Sequence, residues 1–460
     1  MVLSHYIGAS VKRKEDPRLI TGSSTYVDDL KLVGMVHVAF VRSTYAHARI
    51  TGIDASAALS VPGVLAVWTA ADLQKVIKSV EATTPTTEGG DQAAESGAGD
   101  AIPVPKVEPL AREKVRYIGE PIAAVIAESR PVAEDAAGLV VVHYDPLPAV
   151  VDPFEARQDG APQLYDEVKN NISVRYQTVH GDVDAALASA PVKVKVRIRA
   201  PRCAPMPMEP RGTVAAPDPI TRGLTIWVSN QAPHSFRNEI ASAFGLHQNQ
   251  VRAIAPEVGG GFGCKFGAYP EDYVVAAVAR TLNRPAKWIE TRSEHFLATN
   301  HGRNQWGDFE VGADKDGKIQ ALRARITLDS GAYPKALGLA WCTWVMSTGP
   351  YVIPNLDYLV EGVYTNTVCN GAYRGAGRPE ATYYLERLMD LVADEAKLDP
   401  VQVRRVNFIP PDQFPYTTLS GEHYDSGEYE KPLNKALELV GYEDLRRQQA
   451  ELRKQGRYLG

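Results

Sequence analysis

The sequence predicts an α+β protein built from more than one domain. The chain has 460 residues, and a prior of roughly 150 residues per domain suggests about three domains. Its composition, 44% hydrophobic and 23% charged, is typical of a globular protein and excludes a disordered, collagenous or fibrous chain. Strand-like and helix-like patterns alternate along the chain without an internal repeat, which indicates mixed α and β structure.

Charge and cysteine content exclude several other classes of protein. The balance of 50 basic and 55 acidic residues gives a net charge of −5, which does not point to nucleic acid or an anionic membrane as a partner. Cys203, Cys264, Cys342 and Cys369 form no CxxC pair, so neither a disulfide scaffold nor zinc or iron–sulfur ligation by this chain is expected. No apolar stretch approaches the ~20 residues of a membrane helix, and no secretory signal is visible. We therefore expect a cytoplasmic protein.

The first 150 residues mix β-rich runs with short helices. Alternating or continuous apolar patterns predict strands over 35–42, 64–69, 122–127 and 139–143, and a helix over 131–137. Residues 79–105 are polar and small and show no periodicity, so we expect an exposed, mobile loop there, about 80–105. A proline-rich change of composition at 146–153 is the predicted domain boundary.

Strands and helices alternate after this boundary. The patterns predict strands over 192–199, 224–229, 251–255 and 319–328, and helices over 233–244, 270–282, from 379 onward, 433–440 and 442–454. In the first of these helices Phe236, Ile240 and Phe244 share one face, and Gly245 stops the helix. The second begins at Pro270 and carries acidic residues in its first turn, as helix starts often do.

A first glycine-rich loop, VGGGFGCK at 258–265, lies between a predicted strand and a predicted helix. Gly260, Gly261, Phe262 and Gly263 allow close approach of the backbone to an anion, and the following helix N-terminus would add free N–H groups. The GxGxxG code fails here, and the Walker A code fails because Phe266 stands where Ser or Thr should follow the lysine. The loop is therefore either an anion site of another type or a tight turn where helix packs on strand.

A second glycine-rich loop, NGAYRGAGRP at 370–379, also leads into a helix opened by proline. Its candidate binding residues are Ala372, Tyr373, Arg374 and Gly375, and the guanidinium groups of Arg374 and Arg378 suit phosphate or carboxylate. The alternative is a solvated turn with two surface arginines. Two such loops in one chain favour a large polyanionic cofactor.

Other candidate residues carry weaker signals. Gln231 lies in the turn after a predicted strand, where its amide either points at a ligand or caps the turn. Glu209 and Arg211 flank a proline in a rigid stretch that either holds a cofactor or forms a tight turn. The ten histidines form no HxxxH or HxH pair, so no metal site made of protein ligands is expected. A GxSxG elbow is also absent from the sequence.

Several motifs in order resemble the molybdenum hydroxylases, the family of xanthine dehydrogenase, aldehyde oxidase and carbon monoxide dehydrogenase-like large subunits. They are EDPRLITGSSTYVDDL, VRYIGEPIAAVIAES, MEPRG, SNQAPHSFRNEIA, VGGGFGCK, RSEHFLATNHGR and AYRGAGRPE. The resemblance covers almost the whole chain. It implies an α/β-hammerhead domain over 1–150 and the first molybdopterin-binding domain over 151–460, with the second such domain absent.

The resemblance also implies a cofactor and a reaction. The cofactor is molybdenum held by the dithiolene of molybdopterin, in the cytosine dinucleotide form common in bacteria, with no metal ligand from the protein. Gln231 would lie beside an oxo ligand, Gly261 to Gly263 near metal and pterin, and Arg374 with Ala372 at the cofactor. Family members oxidise an aldehyde or N-heterocycle with water-derived oxygen. Their electrons leave through [2Fe-2S] clusters and FAD, which we expect on a small and a medium partner subunit.

Three departures from the family pattern limit these implications. Gly375 stands where copper-containing carbon monoxide dehydrogenases have a cysteine, so we do not expect CO oxidation. Phe266 stands where purine hydroxylases have a glutamate, so we do not expect a xanthine-type substrate. The GxGE motif that carries the family's catalytic glutamate is absent, so no catalytic residue is assigned in this chain.

Three functional hypotheses follow. In the first, the chain is the N-terminal part of a large subunit, and a second molybdopterin subunit with GxGE brings the base. In the second, the chain is a non-catalytic or truncated cofactor-binding protein. In the third, which sets the resemblance aside, the two loops bind a nucleotide.

Overall fold

The computed structural model describes residues 8–77, 80, 102–218, 220–335 and 337–460. The strands, numbered in chain order, are β1 Val36–Arg42, β2 Ala48–Asp54, β3 Val64–Thr69, β4 Lys114–Val115, β5 Pro121–Ala127, β6 Val141–Pro146, β7 Ile172–His180, β8 Val192–Ala200, β9 Gly212–Pro217, β10 Leu224–Val228, β11 Val251–Ile254, β12 Ala286–Ile289, β13 Gln305–Ala313, β14 Ile319–Gly331, β15 Leu356–Tyr364, β16 Tyr416–Thr417 and β17 His423–Tyr424. The α-helices, numbered likewise, are α1 Asp16–Ile20, α2 Ser56–Leu59, α3 Ala70–Leu73, α4 Arg130–Ala137, α5 Pro153–Ala156, α6 Val183–Ser189, α7 Pro233–Phe244, α8 Pro270–Leu282, α9 Arg292–Ala298, α10 Leu337–Val345, α11 Arg378–Ala396, α12 Pro400–Asn407, α13 Glu430–Val440 and α14 Tyr442–Lys454.

The mixture of helices and sheets confirms the predicted α+β class. The strands and helices named from the sequence are all present, most of them within two residues of their predicted ends. Helix α7 ends as predicted, with Gly245 in the left-handed conformation at φ 62°. Most of the stretch 79–105, for which a mobile loop is expected, lies outside the described residues.

A seven-stranded mixed sheet carries the first glycine-rich loop at one edge. Its strand order is β11-β10-β9-β12-β1-β5-β3. Strand β1 pairs in parallel with β12 through two registered residue pairs, Val36 with Ala286 and His37 with Lys287. Strands from before and after the proposed boundary at 146–153 therefore belong to one sheet, and the division into 1–150 and 151–460 stays a prediction.

A five-stranded sheet supports the second glycine-rich loop. Its order is β7-β15-β14-β13-β8, antiparallel except for the β14–β15 pair. The outer face of β8 is basic, as its alternating pattern predicts, and Lys195 and Arg197 pair across the sheet with Glu310 and Asp308. Helices α10 and α11 cover the opposite face and share its hydrophobic core.

The seven-stranded sheet is covered by α7 and α8, which share its core with β1, β5 and β10. Residues 274–279 of α8 are all fully buried, because the run VVAAVA is apolar on every side of the helix. A smaller sheet, β4-β2-β6, lies beside it. In the described part of the chain, no helix has the length and apolarity needed to cross a membrane.

Candidate functional site

The first glycine-rich loop adopts a conformation that depends on its glycines. Gly260 and Gly263 have φ values of 95° and 98°, and Phe262 between them has φ 55°. A Cβ on Gly261 would lie 2.5 Å from the side chain of Gln231, and a Cβ on Gly263 would overlap the carbonyl of Ala372. Since side chains are excluded at both positions, the loop presents bare backbone to its surroundings.

Gln231 connects the end of β10 to this loop. Its side-chain Oε1 accepts hydrogen bonds from the backbone N–H of Gly263, at 2.8 Å, and of Lys265, at 3.3 Å. The backbone N–H of Gln231 donates to the carbonyl of Lys265 over 2.9 Å. The residue itself is exposed. Because the oxygen is engaged by the loop, only the NH₂ group of the amide is left to donate to a ligand.

The second glycine-rich loop lies directly against the first. The backbone N–H of Arg374 donates to the carbonyl of Phe262 over 2.9 Å, and Ala372 faces Gly263. Two segments more than one hundred residues apart thus form one surface, which we call the cradle: residues 259–263, 371–375 and Gln231. All of the cofactor-binding residues proposed from the sequence belong to it.

The second loop carries two arginines, Arg374 and Arg378. Arg374 and Arg378 are both exposed, so their guanidinium groups remain accessible to an anion. Gly375 has φ 102°, and a Cβ there would overlap the ring of Pro379. The chain therefore turns at Gly375, directly after Arg374, before α11 begins at Arg378.

Arg303 is a residue of this site that the sequence analysis missed. Its guanidinium donates to the carbonyl oxygens of Tyr373, at 2.9 Å, and Arg374, at 3.0 Å, and lies 4.8 Å from the Tyr373 ring centre. Arg303 thereby holds the backbone of the second loop at Tyr373 and Arg374. Only its place in the motif RSEHFLATNHGR singled it out, because no local pattern shows which carbonyl groups an arginine will reach.

A buried ion pair supports the first loop from behind. The ammonium of Lys265 lies 3.0 Å from the carboxylate of Glu209 and 2.7 Å from the hydroxyl of Ser229. The same Glu209 oxygen accepts the N–H of Gly259 at 2.8 Å. Burial lowers the pKa of Lys265, and Glu209 opposes that shift. The Glu209 carboxylate therefore supports the first loop through Gly259 and Lys265.

Arg211 does not reach the cradle. Its guanidinium is buried, 3.0 Å from Glu271 and 2.6 Å from Glu290. It also lies 3.9 Å from the ring centre of Tyr269. Burial alone would raise the pKa of Glu271, but Arg211 and Arg42 together lower it. The rigid stretch around Pro210 therefore ends in a buried charge network and not in a ligand-binding side chain.

The helix N-terminus expected behind the first loop is not available to an anion. Helix α8 begins at Pro270, five residues after Lys265, and its first turn contains the buried carboxylates of Glu271 and Asp272. The N–H of Tyr269 donates to Asp272 over 2.8 Å. This expectation from the sequence is wrong, because the glycine-rich segment turns back on Gln231 before the helix starts. Any anion at the first loop would be held by loop backbone and not by a helix end.

The cradle fits a large polyanionic cofactor. It offers backbone that side chains cannot cover, at Gly261 and Gly263, the amide of Gln231 and the guanidinium of Arg374. Among the described residues, no group of three or more His, Cys, Asp or Glu side chains is placed to hold a metal ion.

Comparison with known proteins agrees with this chemistry. The molybdopterin cofactor-binding domain model matches residues 164–408, more than half of the chain. The chain belongs to the molybdenum hydroxylase family. The a/b hammerhead domain model of aldehyde oxidase and xanthine dehydrogenase matches residues 21–148, so the two predicted parts of the fold occur in the family order.

Several relatives are longer than this chain. It is 37% identical to the nicotine 6-hydroxylase large subunit of Paenarthrobacter nicotinovorans, over 100% of this chain and 55% of that protein. It is 39% identical to the carbon monoxide dehydrogenase large chain of Hydrogenophaga pseudoflava, over 96% and 55% respectively. The crystal structure of quinoline 2-oxidoreductase from Pseudomonas putida 86 superposes with a TM-score of 0.90 at 35% identity, covering 98% of this chain and 56% of that one. The chain thus spans a little over half the length of these molybdenum hydroxylases.

One relative has a matching length. The nicotinate dehydrogenase large molybdopterin subunit of Eubacterium barkeri is 29% identical over 96% of this chain and 98% of its own length. A family subunit of this size therefore exists elsewhere.

Proposed function

We propose that this chain binds molybdopterin at the cradle and forms the first part of the large subunit of a molybdenum hydroxylase. The hydroxylase oxidises an aldehyde or an N-heterocycle with oxygen derived from water. The observation that carries the proposal is the junction of the two loops, where Arg374 N–H meets the Phe262 carbonyl. The site assignment rests on this junction and on the bare backbone at Gly261 and Gly263.

The chain's own residues would bind and orient the cofactor. Gln231 would donate its remaining amide hydrogens, and the backbone of Gly261 to Gly263 would lie against the pterin without side chains between them. Arg374 would pair with an anionic group. When bound, the molybdenum cofactor supplies the redox centre of the reaction. We propose the cytosine dinucleotide form, since two loops and two exposed arginines suit a long anion.

We propose that the general base of the reaction comes from outside the cradle. The side chains of the cradle include no carboxylate and no imidazole. We propose that a molybdopterin-binding segment with a GxGE motif supplies the glutamate, on this polypeptide or on a second subunit. Iron–sulfur and FAD subunits would take up the electrons.

The decisive experiment is to purify the chain with its co-purifying subunits and measure molybdenum, pterin, iron and flavin per chain. We expect about one molybdenum and one pterin, with CMP released by acid hydrolysis. Incorporation of ¹⁸O from labelled water into an oxidised aldehyde or N-heterocycle would then establish the reaction. A molybdenum-free protein that binds nucleotides would contradict the proposal. Bound molybdopterin without turnover, even with a GxGE-bearing partner present, would favour the non-catalytic alternative.

A further inference from the structure

The second glycine-rich loop enters α11 through three consecutive residues in the left-handed conformation. Gly375, Ala376 and Gly377 have φ values of 102°, 48° and 86°. Glycine adopts such values at little cost, but alanine does not, because its Cβ crowds the following carbonyl oxygen. Strain of this kind persists only where the surrounding structure holds it in place. Contacts outside the turn must therefore keep Ala376 in this conformation.

Arg303 contacts the chain on both sides of this left-handed turn. Before the turn, its guanidinium donates to the carbonyl oxygens of Tyr373 and Arg374. After the turn, Nη1 of the same guanidinium lies 3.5 Å from the carboxylate of Glu380, in the first turn of α11. One side chain thus spans the left-handed residues, and we call the pair of Arg303 and Glu380 the clasp.

Both members of the clasp are largely withdrawn from water. The side chain of Glu380 is 1% exposed and that of Arg303 is 18% exposed. Burial raises the pKa of Glu380, and Arg303 opposes that shift. The Oε1 atom of Glu380 is buried and has no hydrogen-bond partner among the described residues. Loss of Arg303 would therefore leave a buried carboxylate without its cation.

The backbone that carries Arg303 is itself held in an unfavourable conformation. Arg303 and the next residue, Asn304, have φ values of 66° and 60°. The carbonyl of Arg303 accepts from the side chain of Asn370, and the carbonyl of Asn304 accepts from the N–H of Asp329. This backbone cannot relax without breaking those bonds, so the guanidinium stays directed at the second loop.

We propose that Arg303 and Glu380 are positioning residues, which hold the left-handed turn closed and thereby keep Arg374 at the cradle. Arg374 is exposed, and a fixed backbone lowers the cost of presenting its guanidinium to an anion. The turn begins directly after Arg374, so opening it would draw this residue away from Phe262, whose carbonyl accepts its N–H. The inference rests on the proposed function in one respect: the anion that Arg374 meets is taken to be part of the cofactor.

Hydrogen exchange followed by mass spectrometry tests the clasp on the chain purified with its partner subunits. In the peptide over 371–377, the N–H groups of Arg374 and Ala376 are hydrogen-bonded and should exchange slowly. Arg303→Lys keeps the charge but loses the planar fork that reaches two carbonyl groups, so this peptide should exchange at least tenfold faster. Glu380→Gln should accelerate exchange by a smaller factor, and it provides a second variant should the first fold poorly. Unchanged exchange in both variants would overturn the inference.

Relief of the strain separates this role from a general effect on stability. Ala376→Gly removes the strained Cβ from the turn, so in the Arg303→Lys background it should restore exchange to within about threefold of the parent rate. Lys397→Gly is the matched control, because Lys397 has a φ of 59° at the opposite end of α11. It relieves similar strain there and should restore nothing in the second loop. Equal rescue by the two glycines would show that Arg303 supports the fold in general, and would overturn the inference.

The rate of molybdenum loss during dialysis is measured on the same preparations. Arg303→Lys should raise this rate at least threefold in the parent but should add nothing in an Arg374→Met background, because the clasp acts through Arg374. An equal acceleration in both backgrounds would overturn the inference. Molybdenum-free preparations that show the expected exchange would contradict the proposed function alone. Retained molybdenum with unchanged exchange would overturn only the clasp.

Discussion

The ammonium of Lys265 lies 3.0 Å from the carboxylate of Glu209, directly beneath the first glycine-rich loop. The lysine side chain is fully buried and the glutamate side chain is 15% exposed. The glutamate also accepts the N–H of Gly259. One carboxylate therefore both neutralises a buried cation and holds the start of the loop.

Glu209→Gln should destabilise the protein by about 3 kcal/mol, because it leaves a buried ammonium without its counter-charge while preserving side-chain shape. Urea unfolding followed by tryptophan fluorescence would measure the free energy of unfolding. Glu438→Gln, which breaks the exposed pair with Lys435, is the control and should cost less than about 0.5 kcal/mol. Equal effects of the two substitutions would show that the buried pair is not stabilising.

Gly263→Ala should abolish cofactor retention, because the new Cβ would overlap the Ala372 carbonyl and separate the two loops. Molybdenum per chain, measured by mass spectrometry of the metal, should fall at least tenfold. Gly421→Ala is a matched control: Gly421 has a similar φ of 93°, but a Cβ added there would have no atom within 4 Å. It should show only the backbone strain of about 1–2 kcal/mol and keep its molybdenum. Full metal content in Gly263→Ala would argue against this position of the cofactor.

Acid should destabilise the protein partly through His301. Burial, reinforced by Arg202, lowers the pKa of His301 to about 4. A histidine with a depressed folded-state pKa contributes stability that is present above its unfolded value of ~6.5 and is lost as the pH falls toward the folded value. We expect a loss of about 2 kcal/mol between pH 6.5 and pH 5 from this group.

His301→Gln should remove that part of the pH dependence, as measured by urea unfolding at each pH. His180→Gln, at an exposed position on β7, should keep the parent's slope. An unchanged slope in His301→Gln would rule out this origin of acid sensitivity.

Arg42 joins the first part of the chain to the second. Its guanidinium, from β1, lies 2.8 Å from Glu271 on α8 and 2.9 Å from Glu294 on α9. Arg42→Met should cost about 3–5 kcal/mol, since both carboxylates lose a buried partner. A double-mutant cycle with Glu271→Gln would measure the coupling in the free energy of unfolding. Arg197→Met, which breaks an exposed pair, is the control, and a coupling no larger than that of exposed pairs would contradict the prediction.

Local patterns in the sequence predicted much of the fold but less of the site. Periodicity, Pro270 and Gly245 were sufficient to place helices and strands, because these signals act within one element. The position of Arg303 under the second loop had no such signal. The helix start at Pro270 was predicted correctly, but its role as an anion site behind the first loop was wrong. Asp272 uses the N–H of Tyr269, and nothing local shows how the preceding backbone turns.

By itself, the sequence determined the α+β class, the two glycine-rich loops and the family to which their motifs belong. These features depend on side-chain periodicity, on the conformational freedom of glycine and on short motifs, all of which are local. Only the tertiary structure decided that Phe262 and Arg374 meet, and that Glu209 lies beneath the loop while Arg211 does not reach it. The physical reason is that these contacts join segments far apart in the chain, and the packing of the two sheets sets their distances.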